Sequence, residues 1–392
     1  MEHNILLKTM PLMGNTVRKI LQVDKRPFFP IGLYSVPHTG DFAEISACGF
    51  NLVHSYEHER ALFVNYQAPK RSTFESAGDD DKTIRDYLRA AEKHGLKVML
   101  GFDRMSQLKR QVGPLGEEEK QGIAKRVRAF SGESALLGWY LLDEPDASDI
   151  PPAKCHEVHE YVNGLDQLRP TITVLCDPSK AERYSSIADV IMHDNYPIPQ
   201  SSIIKLGEAF GRYDTFTSGQ RILWAAPQVF NWRSYDQTRL DGRFPTQAEV
   251  RCMTYLSIVQ GATGVVFFCY DNEVHNISKS HDPEHWEELA QLAGELRTLT
   301  PVFVSSTPVN GLAHTEGIAA WARAVGNDHW VIAVNPTSEP ATWRLLLPSD
   351  RYKPIIKVEF EVRDIAANSG VVMDHFDAYA VHIYHLTYTS QA

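Results

Sequence analysis

Apolar and polar positions follow two different rhythms along this chain. From Phe28 to Leu299, short apolar runs alternate with stretches of helical spacing. The apolar runs are Phe28 to Tyr34, Gly49 to Tyr56, Leu96 to Asp103, Leu136 to Asp143, Thr171 to Asp177, Asp189 to Pro197, Arg221 to Phe230 and Gly264 to Asp271. Such runs, bounded by turn residues, read as strands buried on both faces. Between them, Ile84, Leu88 and Ala91 fall on one face of a helix over Asp81 to Lys93, and Gly95 follows as its C-terminal stop. Glu117 to Phe130 carries acids first and bases later, which complements a helix dipole. Thr246 and Glu249 form a capping box at the start of a helix that ends at Gly261. Helical stretches also span Asp41 to Cys48, Ala153 to Leu165, Ile203 to Phe210 and Pro283 to Leu299, and a short one precedes Asp189.

Eight strand-then-helix units predict parallel strands with right-handed crossovers, and about 270 residues suits a (β/α)8 TIM barrel. A doubly wound open sheet would need a Gly-rich phosphate loop after an early strand, and no G-x-G-x-x-G or P-loop occurs. After residue 300 the rhythm shortens. Runs such as Ile318 to Arg323, His329 to Asn335, Thr342 to Leu347, Ile356 to Phe360 and Ala380 to Leu386 predict a small antiparallel β-sandwich. The expected organisation is an N-terminal strand and hairpin packing on the barrel (1–27), the barrel (28–300) and the sandwich (301–392). The stretches 57–79 and 231–245 lack periodicity and read as loops over the active face.

Composition narrows the function. The chain has 392 residues, a net charge of -10 and no low-complexity tract. That acidity argues against nucleic acid or an anionic membrane as partner. No run reaches the ~20 apolar residues of a membrane span. The N-terminus, MEHNILLKTMPLMGN, lacks the basic start and apolar core of a signal peptide. The chain as it stands is expected in the cytoplasm; a mature form stripped of its leader would read the same and be secreted or periplasmic. Cys48, Cys155, Cys176, Cys252 and Cys269 are odd in number and lack zinc-site spacing, so free thiols are expected. No cofactor motif is present, no metal site is expected, and oligomeric state is open.

The chemistry gathers at strand ends, which in a barrel converge on one cleft. These ends carry Tyr34, His54 and Tyr56, Asp103, Asp143 and Glu144, Asp177, Asp194 and Tyr196, Gln228, Tyr270 and Asp271. A single terminal Asp often only caps the next helix, as Asp103 and Asp177 would. Two carboxylates closing the apolar fourth run, Asp143-Glu144-Pro145, are costly there unless paired or used. Trp139, Trp232, Tyr235 and Phe244 are candidate sugar-stacking platforms, although each such residue taken alone more often serves packing. His275, His281 and His285, and the group His54, Glu57, His58 and Glu59, have no recognised metal spacing.

At Asp143-Glu144-Pro145 the chain resembles clan A glycoside hydrolases, whose catalytic barrel is often followed by a β-sandwich. In that clan the fourth strand ends Asn-Glu, frequently with Pro next, and the Glu is the general acid/base. The resemblance implies that role for Glu144, with Asp143 in the Asn position, and it matches Tyr196 to the tyrosine beside the clan's nucleophile. The clan's nucleophile is a Glu ending strand seven, where this chain reads Ala226-Pro227-Gln228-Val229-Phe230. Gln228 cannot form a glycosyl ester. Asp194 or Asp271 is then the candidate second carboxylate, with Glu273 behind, and Asp194 is favoured by its place beside Tyr196. The adjacent Asp143 and Glu144 also resemble family 20 hexosaminidases, in which the Asp orients a substrate acetamido group that acts as nucleophile. The expected function is therefore hydrolysis of an oligo- or polysaccharide. A catalytically inactive carbohydrate-binding barrel and a metal-dependent hydrolase on the same barrel are the alternatives.

Overall fold

The computed structural model describes residues 5–11, 17–56, 81–102, 113–272, 275–309, 312–347 and 352–388, with side chains from Lys19 onward within those ranges apart from Asn272. Eight parallel strands close into a barrel: β1 (Ile31–Leu33), β2 (Leu52–His54), β3 (Lys97–Gly101), β4 (Leu136–Asp143), β5 (Thr171–Leu175), β6 (Val190–Asp194), β7 (Ile222–Ala226) and β8 (Val265–Phe267). Strand β8 pairs with β1 to complete the ring. The helices that follow the strands, among the described residues, are α1 (Phe42–Cys48), α2 (Asp81–Lys93), α3 (Glu117–Phe130), α4 (Pro152–Leu165), α5 (Ala181–Tyr184), α6 (Ile204–Thr217), α7 (Gln247–Val259) and α8 (Pro283–Phe303), with one further helical turn at Trp232–Tyr235 after β7. The expected TIM barrel is thus present, with the Asp143-Glu144 strand fourth in order. The capping box at Thr246 and Glu249 closes both ways, as its sequence spacing demands.

Two apolar layers hold the barrel. Outward side chains pack against the helices, while Tyr34, Leu52, Met99, Leu137, Tyr140, Ile172, Met192 and Trp224 fill the interior. Three N-terminal antiparallel strands (Ile5–Pro11, Val17–Val23, Arg26–Phe28) precede the barrel, and Leu21 from the second of them joins that interior cluster, fully buried. Gly138 allows β4 and the start of β5 to approach closely, because a Cβ there would meet the Pro170 carbonyl oxygen at 2.7 Å.

Among the described residues after α8, the strands form one nine-stranded antiparallel sheet. It curls so that Ala322, Val331 and Tyr384 of one half share a core with Trp343, Leu345 and Phe376 of the other, as the layers of a sandwich do. The outer face of this sheet packs on α7 and α8 through Trp321, Ile332, Val334 and Ile383. A polar tie reinforces the contact. Arg251 on α7 is paired with Glu295 on α8 at 2.6 Å and donates to the Val381 carbonyl at 2.6 Å.

The plug at the barrel floor is testable. Replacing Leu21 with Ala removes a fully buried side chain that the surrounding strands cannot collapse around, and should cost about 2–5 kcal/mol in equilibrium denaturant unfolding. A loss under 1 kcal/mol would mean that the N-terminal strands are dispensable to the barrel.

Candidate active site

Strand β4 delivers two acids where strict alternation delivers one. Leu141 and Leu142, although adjacent, both pack in the outer layer. The pairing of β4 with β5 shifts register between Tyr140 and Asp143, which marks a bulge. Bulges of this kind re-aim side chains near active sites. The next residue, Glu144, has φ 46°, in the left-handed region that non-glycine residues seldom occupy. Its amide donates to the Val174 carbonyl at 3.2 Å and its carbonyl accepts from Ser148. Such strain persists only where the surroundings enforce it, and it concentrates at functional sites.

These acids open into a cavity of about 320 Å³ at the C-terminal end of the barrel. Its lining is Tyr34, Tyr56, Asp143, Glu144, Val174, Asp194, Tyr196, Phe230, Trp232, Tyr235 and Phe268. Carboxylate oxygens of Glu144 and Asp194 and the Cys176 sulfur lie within 4.8 Å of one another. Burial pushes the Asp194 carboxyl well above the ordinary carboxylate range. The charge of Glu144, a side-chain hydrogen bond with it, and the charges of Asp143 and Asp146 add to the effect. Burial also raises the Cys176 thiol, and the carboxylates around it add to the shift, which keeps it protonated. Asp143 accepts from the Tyr140 hydroxyl at 2.9 Å, and Tyr34 donates to Tyr140 at 3.3 Å.

Asp146 fastens this corner. Fully buried, it accepts from the amides of Cys176 and Asp177 at 3.0 and 2.7 Å, tying the loop after β4 to the end of β5. Opposite the acids stands an aromatic wall. Tyr196 stacks on Phe268 with centroids 5.3 Å apart and meets Phe230 edge-on at 5.0 Å. The Trp232 indole donates to the Tyr196 carbonyl at 3.2 Å.

Of the residues expected from sequence, Tyr34, Tyr56, Asp143, Glu144, Asp194, Tyr196, Trp232 and Tyr235 meet in this cavity. His54 lies beneath it, fully buried, with its ring 4.5 Å from Tyr56 and 4.9 Å from Tyr140. Asp271 is buried in a short hairpin beside β1, its amide donating to the Ser35 carbonyl, and is not among the lining residues. Tyr270 turns away from the cavity to pack edge-on against Trp286 of α8. Gln228 is fully buried and does not line the cavity; its amide is spent on the backbone. Trp139 is not a sugar platform: it is fully buried in the outer layer and donates to Asp166 at 2.9 Å. Phe244 stacks on His285 at 4.0 Å and lines a separate cavity between the barrel and the β domain. The three later histidines have separate partners: His275 the Val229 carbonyl, His281 Ser278, and His285 Asp282. Asp103, Glu57, His58, Glu59 and Glu273 lie outside the described residues. All five cysteines are free, as expected.

Sequence reasoning passed over Asp146, Cys176, Phe230 and Phe268. Cys176 directly follows β5, as Glu144 follows β4, so the strand-end rule applied to thiols would have found it. Asp146 gave no such signal, since its role depends on two amides about thirty residues away.

A closed (β/α)8 barrel with acids at the C-terminal ends of its strands and a trailing antiparallel β domain is the architecture that the clan A resemblance implies. No protein-family profile and no curated protein matches the sequence. Solved structures do match in fold. One described as a glycoside hydrolase covers 100% of this chain and 98% of its own, at 12% identity and a TM-score of 0.68. A GH27 β-L-arabinopyranosidase from Geobacillus stearothermophilus gives 92%, 97%, 11% and 0.62 by the same measures. An α-amylase from Geobacillus thermoleovorans gives 90%, 92%, 13% and 0.60. The likeness is one of fold.

The electrostatics of Asp194 are testable without a substrate. A carboxyl with its folded pKa raised contributes stability below its unfolded pKa and loses it as pH rises through the folded value. Asp194→Asn should therefore gain in Tm relative to the parent as pH rises from about 4, the unfolded value, levelling off above the folded pKa. A pH-independent difference in Tm would refute the raised pKa.

Proposed function

We propose that this protein is a glycoside hydrolase that acts with retention of configuration, using Glu144 and Asp194 as its two carboxyl groups. The observation that carries this reading is their juxtaposition in an aromatic-lined cavity, with carboxylate oxygens no more than 4.8 Å apart. Such proximity leaves no room for the water that inverting pairs, roughly 6.5–9.5 Å apart, hold between them, and retaining pairs stand closer, about 5–5.5 Å. Gln228 then marks no lost function, because the second carboxylate comes from β6.

Burial divides the two roles the other way round from the sequence expectation. The group whose environment favours the neutral form, Asp194, serves as acid, and Glu144 beside it as nucleophile. Asp194 holds the proton. The Glu144 carboxylate attacks the anomeric carbon while Asp194 protonates the departing glycosidic oxygen, forming a glycosyl ester and releasing the aglycone. Water then attacks the same carbon, giving its proton to Asp194 and freeing Glu144. The tyrosine- and tryptophan-rich wall suits the apolar face of a sugar ring, and the acids suit the positive charge that develops in the transition state. The fold likeness to glycoside hydrolases supports the same reading.

A panel of aryl glycosides tests it. Asp194→Asn should lower kcat by about 10²–10⁴-fold on poor leaving groups and far less on dinitrophenyl glycosides, which need no acid. Glu144→Ala should lose turnover on all of them and regain it with azide, yielding a glycosyl azide of inverted configuration. Azide rescue of the Asp194 variant with retained configuration completes the assignment. Wild-type rates in both variants would refute it, and sugar binding without turnover by the parent would establish the binding-protein alternative.

A further inference from the structure

Gln228 occupies the position where the sequence resemblance places a nucleophile, yet its amide is fully committed elsewhere. Its Oε1 accepts from the Ile198 amide at 3.0 Å, and its Nε2 donates to the carbonyls of Ile198 at 2.9 Å and Phe230 at 3.1 Å. The backbone around it is bound as tightly. The Val229 amide donates to the Phe268 carbonyl at 2.8 Å, and the Phe268 amide to the Pro227 carbonyl at 3.0 Å. One buried side chain thus joins the segments that follow β6 and β7, and its backbone neighbours join them to the end of β8. These segments carry Tyr196, Phe230 and Phe268, the wall that faces the acids.

We propose that Gln228 is a positioning residue that fixes the aromatic wall of the cavity opposite Glu144 and Asp194. The claim that this wall binds substrate rests on the glycosidase reading; the claim that Gln228 fixes it does not. Only a group that is donor and acceptor at once satisfies this site. A carboxylate sets an acceptor against two carbonyl oxygens, so glutamate here breaks the wall instead of supplying a nucleophile.

The test is Q228E beside Q228L, each compared with the parent from pH 4 to 8. At pH 7 both variants should lose near-UV circular dichroism from the wall. Their KM for an aryl glycoside that the parent cleaves should rise roughly tenfold or more, with kcat less affected. Acidification protonates the Q228E carboxyl, which then donates as well as accepts, so its spectrum and KM should return towards those of the parent. Q228L, with no group to titrate, should not recover. Parent-like constants for Q228E at pH 7, a gain in its activity, or loss of fold in both variants at every pH would overturn the proposal. If the spectra behave as expected but the parent cleaves no glycoside, the glycosidase reading fails and the positioning role stands.

Discussion

A buried carboxyl group beside a second, partly exposed one is disfavoured in its charged form, and the cavity is arranged around that constraint. Asp194 is buried at the end of β6 and faces Glu144, so its charged form is disfavoured first by lost hydration and then by its neighbour. The described cavity lining contains no Lys, Arg or His to offset this charge. The acids are restrained instead by hydrogen bonds from Tyr140 to Asp143 and from two amides to Asp146. An environment of this kind favours the protonated form of Asp194.

Rigidity behind the cavity comes from elements that never reach it. The interior of the barrel is packed to its floor, where Leu21 closes the bottom layer. On the outside, the antiparallel sheet braces α7 and α8, and the Arg251–Glu295 pair fastens all three together. Helix α8 follows β8, and Phe268 stands at the end of that strand, so the brace supports the strand that ends beneath the aromatic wall. Asp143, Glu144, Asp194 and Tyr196 thus rest at strand ends, which hold geometry better than long loops do.

Much of the fold was legible because its signals are local. An apolar run such as Leu136 to Leu142 declares a buried strand by itself, and Thr246 with Glu249 declares a helix start within four residues. Counting such units located Glu144 at the end of the fourth strand. The site was legible only as a list of strand-end residues. Asp194 and Asp271 looked alike in sequence, each closing a strand in a polar group, yet only Asp194 lines the cavity. Trp139 looked like a platform until the outward direction of its side chain put it under the helices.

The sequence by itself determined the alternation of strand and helix, the trailing β domain, and the acids at strand ends, because each depends on residues within a few positions of one another. The pairing of Glu144 with Asp194, the upward shift that burial imposes on the Asp194 carboxyl, and the commitment of Gln228 to the backbone were decided only by tertiary structure. Those depend on a bulge in β4, a left-handed residue at Glu144 and the closure of β4 to β6 around a shared centre. No local pattern encodes the sum of these displacements, since a shift of one residue in register turns a side chain to the opposite face.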